Sequence, residues 1–196
     1  MARLFFIFII MKMFYLLLLI GLGFNVRAQD VPVKWATQET FFEDLIGKTL
    51  PDFQGTSTDG KKFIRKQLKD QIVVINFWFE NCPPCIEEMP ELNKLVDKYT
   101  KKGVRFIGIT HDLPGKAKRF QKQKSYHYQI ISLTKEKITE LNINHGFPSN
   151  ILVGKDGKIL FAMANFSLKN QEFKAKSLIF ESKLIAELQN LPAAGN

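Results

Sequence analysis

Cysteine, histidine and tryptophan are scarce in this chain: two, three and two residues among 196. Both cysteines, Cys82 and Cys85, fall in a single Cys-Pro-Pro-Cys stretch. With no second CxxC and no closely spaced histidine pair, the usual four-ligand set of a structural zinc site is missing. Also missing is any arginine-rich run interleaved with aromatics, the ordinary footprint of a nucleic-acid binder. The net charge of +9 comes instead from lysines scattered among glutamates along helical faces, which reads as solvated surface. There is no internal repeat and no low-complexity tract. No cysteine stands near the N-terminal segment, so a lipid-modified cysteine has no place there.

The chain is long enough for one domain with a full core and too short for two comfortable ones. Its hydrophobic content of 45% is ordinary for a globular protein, and phenylalanine is abundant at 18 residues. At the N-terminus, Arg3 and Lys12 precede an apolar stretch, Met13 to Phe24, of signal-peptide length. Val26-Arg27-Ala28 then has the small-residue pattern of a cleavage site before Gln29. Residues 1–28 therefore read as a signal peptide, and their removal lowers the charge to +6. The alternative is an uncleaved membrane anchor, for which the apolar run after Lys12 is short. Initiation at Met11 or Met13 would leave a compact signal. The expectation is export to an oxidising periplasm, where a CxxC pair matters for redox exchange.

The cysteine stretch organises the rest. Ile72 to Ile75, then Phe77, Trp78 and Phe79, have the composition of a strand buried on both faces. After Glu80-Asn81, Cys82 stands where a helix would begin, and Pro83 and Pro84 suit a first helical turn because the N–H they lack would have no partner there. Ile86, Met89, Leu92, Leu95 and Val96 recur at helical steps. Cysteines three apart on one turn can reach each other. A loop that short constrains little of the unfolded chain, which argues against a purely structural disulfide. The helix dipole and free N–H groups favour the Cys82 thiolate, while Cys85, a turn further in, should be more buried. The pair reads as an attacking and a resolving thiol, against the background that a lone CxxC also occurs by chance.

In chain order, residues 29–48 read as an N-terminal extension with a short helix ending at Gly47. Residues 49–192 read as the main domain. A hairpin is expected from Leu50 to Thr58 and Lys61 to Ile64 across Asp59-Gly60. A turn at 67–70, a strand at 71–79 and a helix from about 83 to 100 ending before Gly103 follow. Val104 to Thr110 is a second buried-type strand, joined by a right-handed parallel crossover. Then come a basic helix from Pro114 to Lys124, a strand at 128–132 and a helix at 135–141. A second hairpin turns at Asp156-Gly157 between strands at 151–153 and 158–163. A polar loop at 164–176 leads to a last helix, with Phe180, Leu184, Ile185 and Leu188 as its inner face.

This order of strand, Cys-Pro-Pro-Cys, helix, strand, helix, then Phe147-Pro148 before a hairpin and a closing helix resembles the thioredoxin superfamily. More narrowly, Asn76 to Leu92 and the Leu50-Pro-Asp-Phe53 opening resemble the exported TlpA/ResA-like thiol-disulfide oxidoreductases, over residues 45–190. The resemblance implies an α/β fold with a central mixed sheet flanked by helices and an N-terminal β-hairpin extension. It implies Cys82 as nucleophile, Cys85 as resolving thiol and Pro148 as a cis-proline facing the disulfide, whose neighbour Phe147 offers strand-like hydrogen bonds to a substrate. Phe147, Pro83 and Trp78 are the expected substrate contacts. Glu88 matches a helix glutamate that exchanges protons with Cys85 if buried, or is a solvated helix residue if exposed. Asn76 stands where cytosolic thioredoxins carry an aspartate, and Asn81 replaces a common tryptophan.

The implied partners are protein disulfides, including those of apocytochromes in cytochrome c maturation, and a membrane redox partner supplying electrons. No cofactor beyond the Cys82–Cys85 couple is implied, and no metal. Two alternatives differ in class. One is a copper-binding chaperone using Cys82, Cys85 and His145, and the other a peroxidase of the same fold.

Overall fold

The apolar run before the cysteines becomes the middle of a sheet. The computed structural model describes residues 42–142 and 144–190. The signal-peptide reading and residues 29–41 of the extension lie outside them. Seven strands are present among the described residues: β1 (Gln54–Ser57), β2 (Lys62–Ile64), β3 (Ile72–Phe77), β4 (Val104–Thr110), β5 (Gln129–Ser132), β6 (Ser149–Val153) and β7 (Ile159–Met163). Four helices accompany them: α1 (Pro83–Tyr99), α2 (Pro114–Lys124), α3 (Lys135–Leu141) and α4 (Gln171–Gln189). The sheet order is β2-β1-β5-β4-β3-β6-β7. β3, β4 and β5 run parallel, and β1, β2, β6 and β7 are joined antiparallel. This is the mixed thioredoxin-like sheet with its N-terminal hairpin.

β3 is buried at all six positions because both faces are covered. Side chains alternate across a strand. Ile72 and Val74 therefore join Met89, Leu92 and Tyr99 of α1, Phe120 of α2 and Phe180 of α4 on one face. Val73, Ile75 and Phe77 join Ile138 and Leu141 of α3 with Phe42 and Leu45 on the other. The core thus reaches upstream of residue 49, where the sequence placed the domain boundary. Among the described residues no helix is long and apolar enough to cross a membrane.

Two expectations need correction. The polar stretch at 164–176 is not all loop, since α4 starts at Gln171. Its first turns carry Gln171, Glu172 and Lys174, which show no apolar period. The available signal was the cap, where Asn170 accepts the Glu172 N–H at 2.9 Å. Ile185 is also not part of the inner face: it is 38% exposed, while Ser177, Phe180 and Leu184 are buried.

The close fit of β4 against β5 and Trp78 can be tested at Gly108. A Cβ there would stand 2.7 Å from Ile130 Cδ1 and 3.0 Å from Trp78 Nε1. Gly108→Ala is expected to destabilise the fold by about 1–3 kcal/mol, read from urea unfolding midpoints.

Candidate active site

Where β3 ends, Trp78 turns inward and the chain reaches Cys82 as the N-cap of α1. Pro83 and Pro84 carry no N–H, so Cys85 supplies the first one of the helix, and it donates to Cys82 Sγ at 3.3 Å. The two prolines leave the sulfur as the focus of the helix N-terminus, where partial positive charge favours a thiolate. No acidic residue lies in the first turn of α1 to oppose this. Cys82 and Cys85 are disulfide-bonded, with Cα atoms 5.3 Å apart. Cys85 is fully buried and Cys82 retains 3% exposure.

One turn past Cys85, Glu88 points into the protein and is 1% exposed. Of the two readings open in the sequence, the structure takes the buried one. Asn76 Nδ2 donates to Glu88 Oε1 at 2.6 Å, and Asn150 Nδ2 and the Phe166 N–H donate to Oε2 at 2.9 and 2.7 Å. Burial outweighs these three donors and raises the carboxyl pKa to about 8. Oε1 has one lone pair left for the proton. The acid belongs to a wider network. Asn76 also donates to Asn150 Oδ1 at 3.0 Å and accepts from the Tyr126 hydroxyl at 2.7 Å, and Asn150 donates to the Ala164 carbonyl at 2.8 Å.

The roles of Asn150, Tyr126 and the Phe166 N–H escaped sequence reasoning. A usable signal existed in Asn76, a lone amide inside a continuous apolar strand, since a buried amide demands partners.

β6 pairs with β3 so that Ser149 lies opposite Phe77. Phe147 and Pro148, just before it, therefore run beside the segment that leads to Cys82. The Phe147-Pro148 bond is cis. The Phe147 ring is half-buried and meets the Phe79 ring edge-on at 5.2 Å. Pro83 is exposed beside the disulfide. Trp78 requires a correction as a substrate contact. It is fully buried, stacked on Phe120 at 5.2 Å and edge-on to Tyr126 at 5.8 Å, so it supports the motif from inside.

The loop before Cys82 is pinned by Asp112, whose Oδ2 accepts the Glu80 N–H at 2.7 Å, while Lys116 pairs with Glu80 at 2.7 Å and Asp112 at 3.2 Å. His145, the third ligand of the copper reading, is 2.7 Å from Asp44 through Nε2 and packs on the Phe42 ring. Among the described residues no three histidine, cysteine or acidic side chains converge to hold a metal ion.

A redox-active CxxC opening a helix on this sheet defines a thioredoxin-like thiol-disulfide oxidoreductase, and comparison with known proteins gives the same class. The chain belongs to the AhpC/TSA family, whose profile matches residues 46–162. It is 35% identical over 144 residues to the thiol-disulfide oxidoreductase ResA of Bacillus cereus, covering 71% of this chain and 83% of that one. Among solved structures, it resembles a thioredoxin-family thiol:disulfide interchange protein from Chlorobium tepidum, with a TM-score of 0.57 at 24% identity over 72% of this chain and 97% of that one. The thioredoxin domain of a Bacteroides vulgatus thiol-disulfide oxidoreductase gives a TM-score of 0.57 at 23% identity, over 69% and 96% of the two chains. At these identities the structural likeness describes the fold.

Proposed function

We propose that this oxidoreductase is exported and reduces disulfides of protein substrates, with Cys82 as nucleophile and Cys85 as resolving thiol. In the reduced protein the Cys82 thiolate attacks one sulfur of a substrate disulfide. That S–S bond breaks, the departing substrate sulfur takes up a proton, and a mixed disulfide forms. Cys85 then loses its proton and attacks Cys82 Sγ, releasing the second substrate thiol and closing the Cys82–Cys85 disulfide. Two electrons have passed to the substrate. A membrane-borne dithiol partner returns them by the same exchange in reverse.

The observation that carries this reading is the Cys82–Cys85 disulfide at the start of α1, with a buried Glu88 one turn behind it. We read Glu88, buried one turn past Cys85 with its pKa raised to about 8, as the group that takes up and returns the proton when Cys85 resolves the mixed disulfide. Phe147 and Pro148, which immediately precede the residue paired with Phe77 at the end of β3, are read as the segment that would offer backbone hydrogen bonds to a substrate strand. Export rests on the signal-type pattern of residues 1–28.

Two measurements test this. The reduced protein should reduce insulin disulfides catalytically in the presence of a dithiol donor, and the mature protein recovered from cells should begin at Gln29. Tight Cu(I) binding without insulin turnover would favour the chaperone alternative instead.

A further inference from the structure

The amides around Glu88 take their orientation from one fixed point. A backbone carbonyl only accepts, so the Ala164 oxygen, 2.8 Å from the Asn150 amide, requires the Asn150 nitrogen to face it. The Asn150 oxygen is thereby left facing Asn76 at 3.0 Å, and Asn76 must answer with its nitrogen. That nitrogen also donates to Glu88 Oε1 at 2.6 Å, so the Asn76 oxygen points the other way, to the Tyr126 hydroxyl at 2.7 Å. Tyr126 can only be the donor there. A directed chain of hydrogen bonds thus runs from Tyr126 through Asn76 to Glu88, with both asparagines fully buried.

Tyr126 is held in place from several sides. Its ring stacks on that of Tyr128 at 4.7 Å and meets Trp78 edge-on at 5.8 Å. Its N–H donates to the Gln121 carbonyl of α2 at 3.0 Å, and Gln121 Nε2 donates to the Tyr126 and Tyr128 carbonyls at 3.0 and 2.7 Å. Tyr128 is buried as deeply, yet its hydroxyl has no hydrogen-bond partner among the described residues. Two stacked phenols therefore differ in one respect, since only that of Tyr126 is joined to the acid.

Without the Tyr126 hydroxyl, the Asn76 oxygen would be a buried acceptor with nothing to accept, which is costly. It could regain a partner by turning the amide over, at the expense of its bond to Asn150, and accepting from a protonated Glu88. An amide that stayed in place would lose the polarisation that strengthens its N–H as a donor. Both changes favour the protonated acid over the carboxylate. We propose that Tyr126 is a positioning residue for Glu88: its hydroxyl holds the Asn76 amide with the nitrogen toward the carboxyl. For its part in exchange, the assignment rests on the reading of Glu88 as the proton carrier for Cys85. Tyr126 and Tyr128 face Glu88 from the segment between α2 and β5, Cys85 lies one turn before it on α1, and β3, β6 and the loop after β7 contribute neutral amides. Burial pushes both phenols well above their usual range, so both stay neutral where Glu88 titrates.

The test reads Glu88 directly, by NMR of isotope-labelled glutamate carboxyls in the oxidised full-length protein, with Glu88→Gln identifying the resonance. Tyr126→Phe is expected to raise the Glu88 titration midpoint by about one pH unit, a roughly tenfold gain in proton affinity, and to carry the pH profile of insulin turnover upward with it. Tyr128→Phe removes an equally buried hydroxyl that bonds to nothing, and should move the midpoint by less than about 0.2 pH unit. Ortho-fluorinated tyrosine in place of tyrosine makes the Tyr126 hydroxyl a stronger donor without removing it, so the midpoint should fall. That measurement keeps the assignment open to refutation even where Tyr126→Phe folds poorly. A midpoint unmoved by Tyr126→Phe, moved equally by Tyr128→Phe, lowered by Tyr126→Phe or raised by fluorination would overturn it. Turnover separates this from the reading beneath. A midpoint that rises in Tyr126→Phe while the turnover profile stays in place removes Glu88 as proton carrier and leaves Tyr126 in its role, whereas a profile that follows Glu88 with a midpoint indifferent to Tyr126→Phe removes Tyr126 alone.

Discussion

Cys82→Ser is expected to lower insulin-disulfide turnover by about 10³-fold or more while leaving the fold intact. A serine hydroxyl does not ionise at neutral pH, so the N–H that now meets Cys82 Sγ at 3.3 Å would have no thiolate to stabilise. The fold should survive because the lost cross-link closes a loop with a sequence separation of only 3, too short to restrict the unfolded chain appreciably. Cys85→Ser should behave differently. Attack by Cys82 remains possible and resolution does not, so a mixed disulfide with the substrate should accumulate and appear on a non-reducing gel. Accumulation of that adduct through residue 85 in Cys82→Ser, with none in Cys85→Ser, would reverse the assigned roles.

The second large effect belongs to Glu88. Its pKa is about 8 in the folded protein against the ordinary 4.5, a raised value, so folding takes up a proton between these limits. Below pH 4.5 the group is protonated in both states and its contribution to stability is complete. As pH rises the unfolded chain releases the proton first, and stability falls until the folded group also ionises, near pH 8. The loss across this window is about 3–5 kcal/mol as an upper bound, because each tenfold difference in proton affinity between the folded and unfolded chains corresponds to about 1.4 kcal/mol. Glu88→Gln cannot ionise and should flatten the dependence of urea midpoints on pH between about 5 and 9. The same substitution should slow exchange by about 10²-fold and erase any inflection of the rate near pH 8. If the two proteins have parallel stability profiles, the buried carboxyl does not titrate as described.

Much of the architecture was legible because its punctuation is local. Pro114 at the head of α2, Gly103 in the left-handed region with φ of 89°, and Asp59-Gly60 at the first hairpin each act within a few residues of their position. The cysteines were legible for the same reason, since their chemistry needs only a three-residue spacing and a helix start. The acid network was not. Asn76 and Asn150 are 74 positions apart in sequence and meet only because β3 and β6 are neighbours. Helical periodicity alone left Glu88 undecided: positions 85, 89 and 92 face the core around it, yet a carboxylate there would ordinarily avoid burial. What decided the matter was a supply of three donors from elsewhere in the chain. Trp78 illustrates the opposite error, where proximity to the motif in sequence suggested contact with a substrate and the strand's alternation turned the side chain inward.

Both borders of the sheet are guarded. β2 is three residues long, and the Ile64 N–H is already taken by the Gln67 side chain at 2.8 Å. On the far border, Gly47 and Lys48 exchange backbone hydrogen bonds with Ile159 at 2.8 and 2.9 Å, closing off the start of β7. At the start of β7 the outward N–H and C=O of Ile159 are thus both taken and unavailable to a stray strand. For a protein whose substrates are other proteins' disulfides, these two caps leave fewer strand edges on which a partly folded chain could pair.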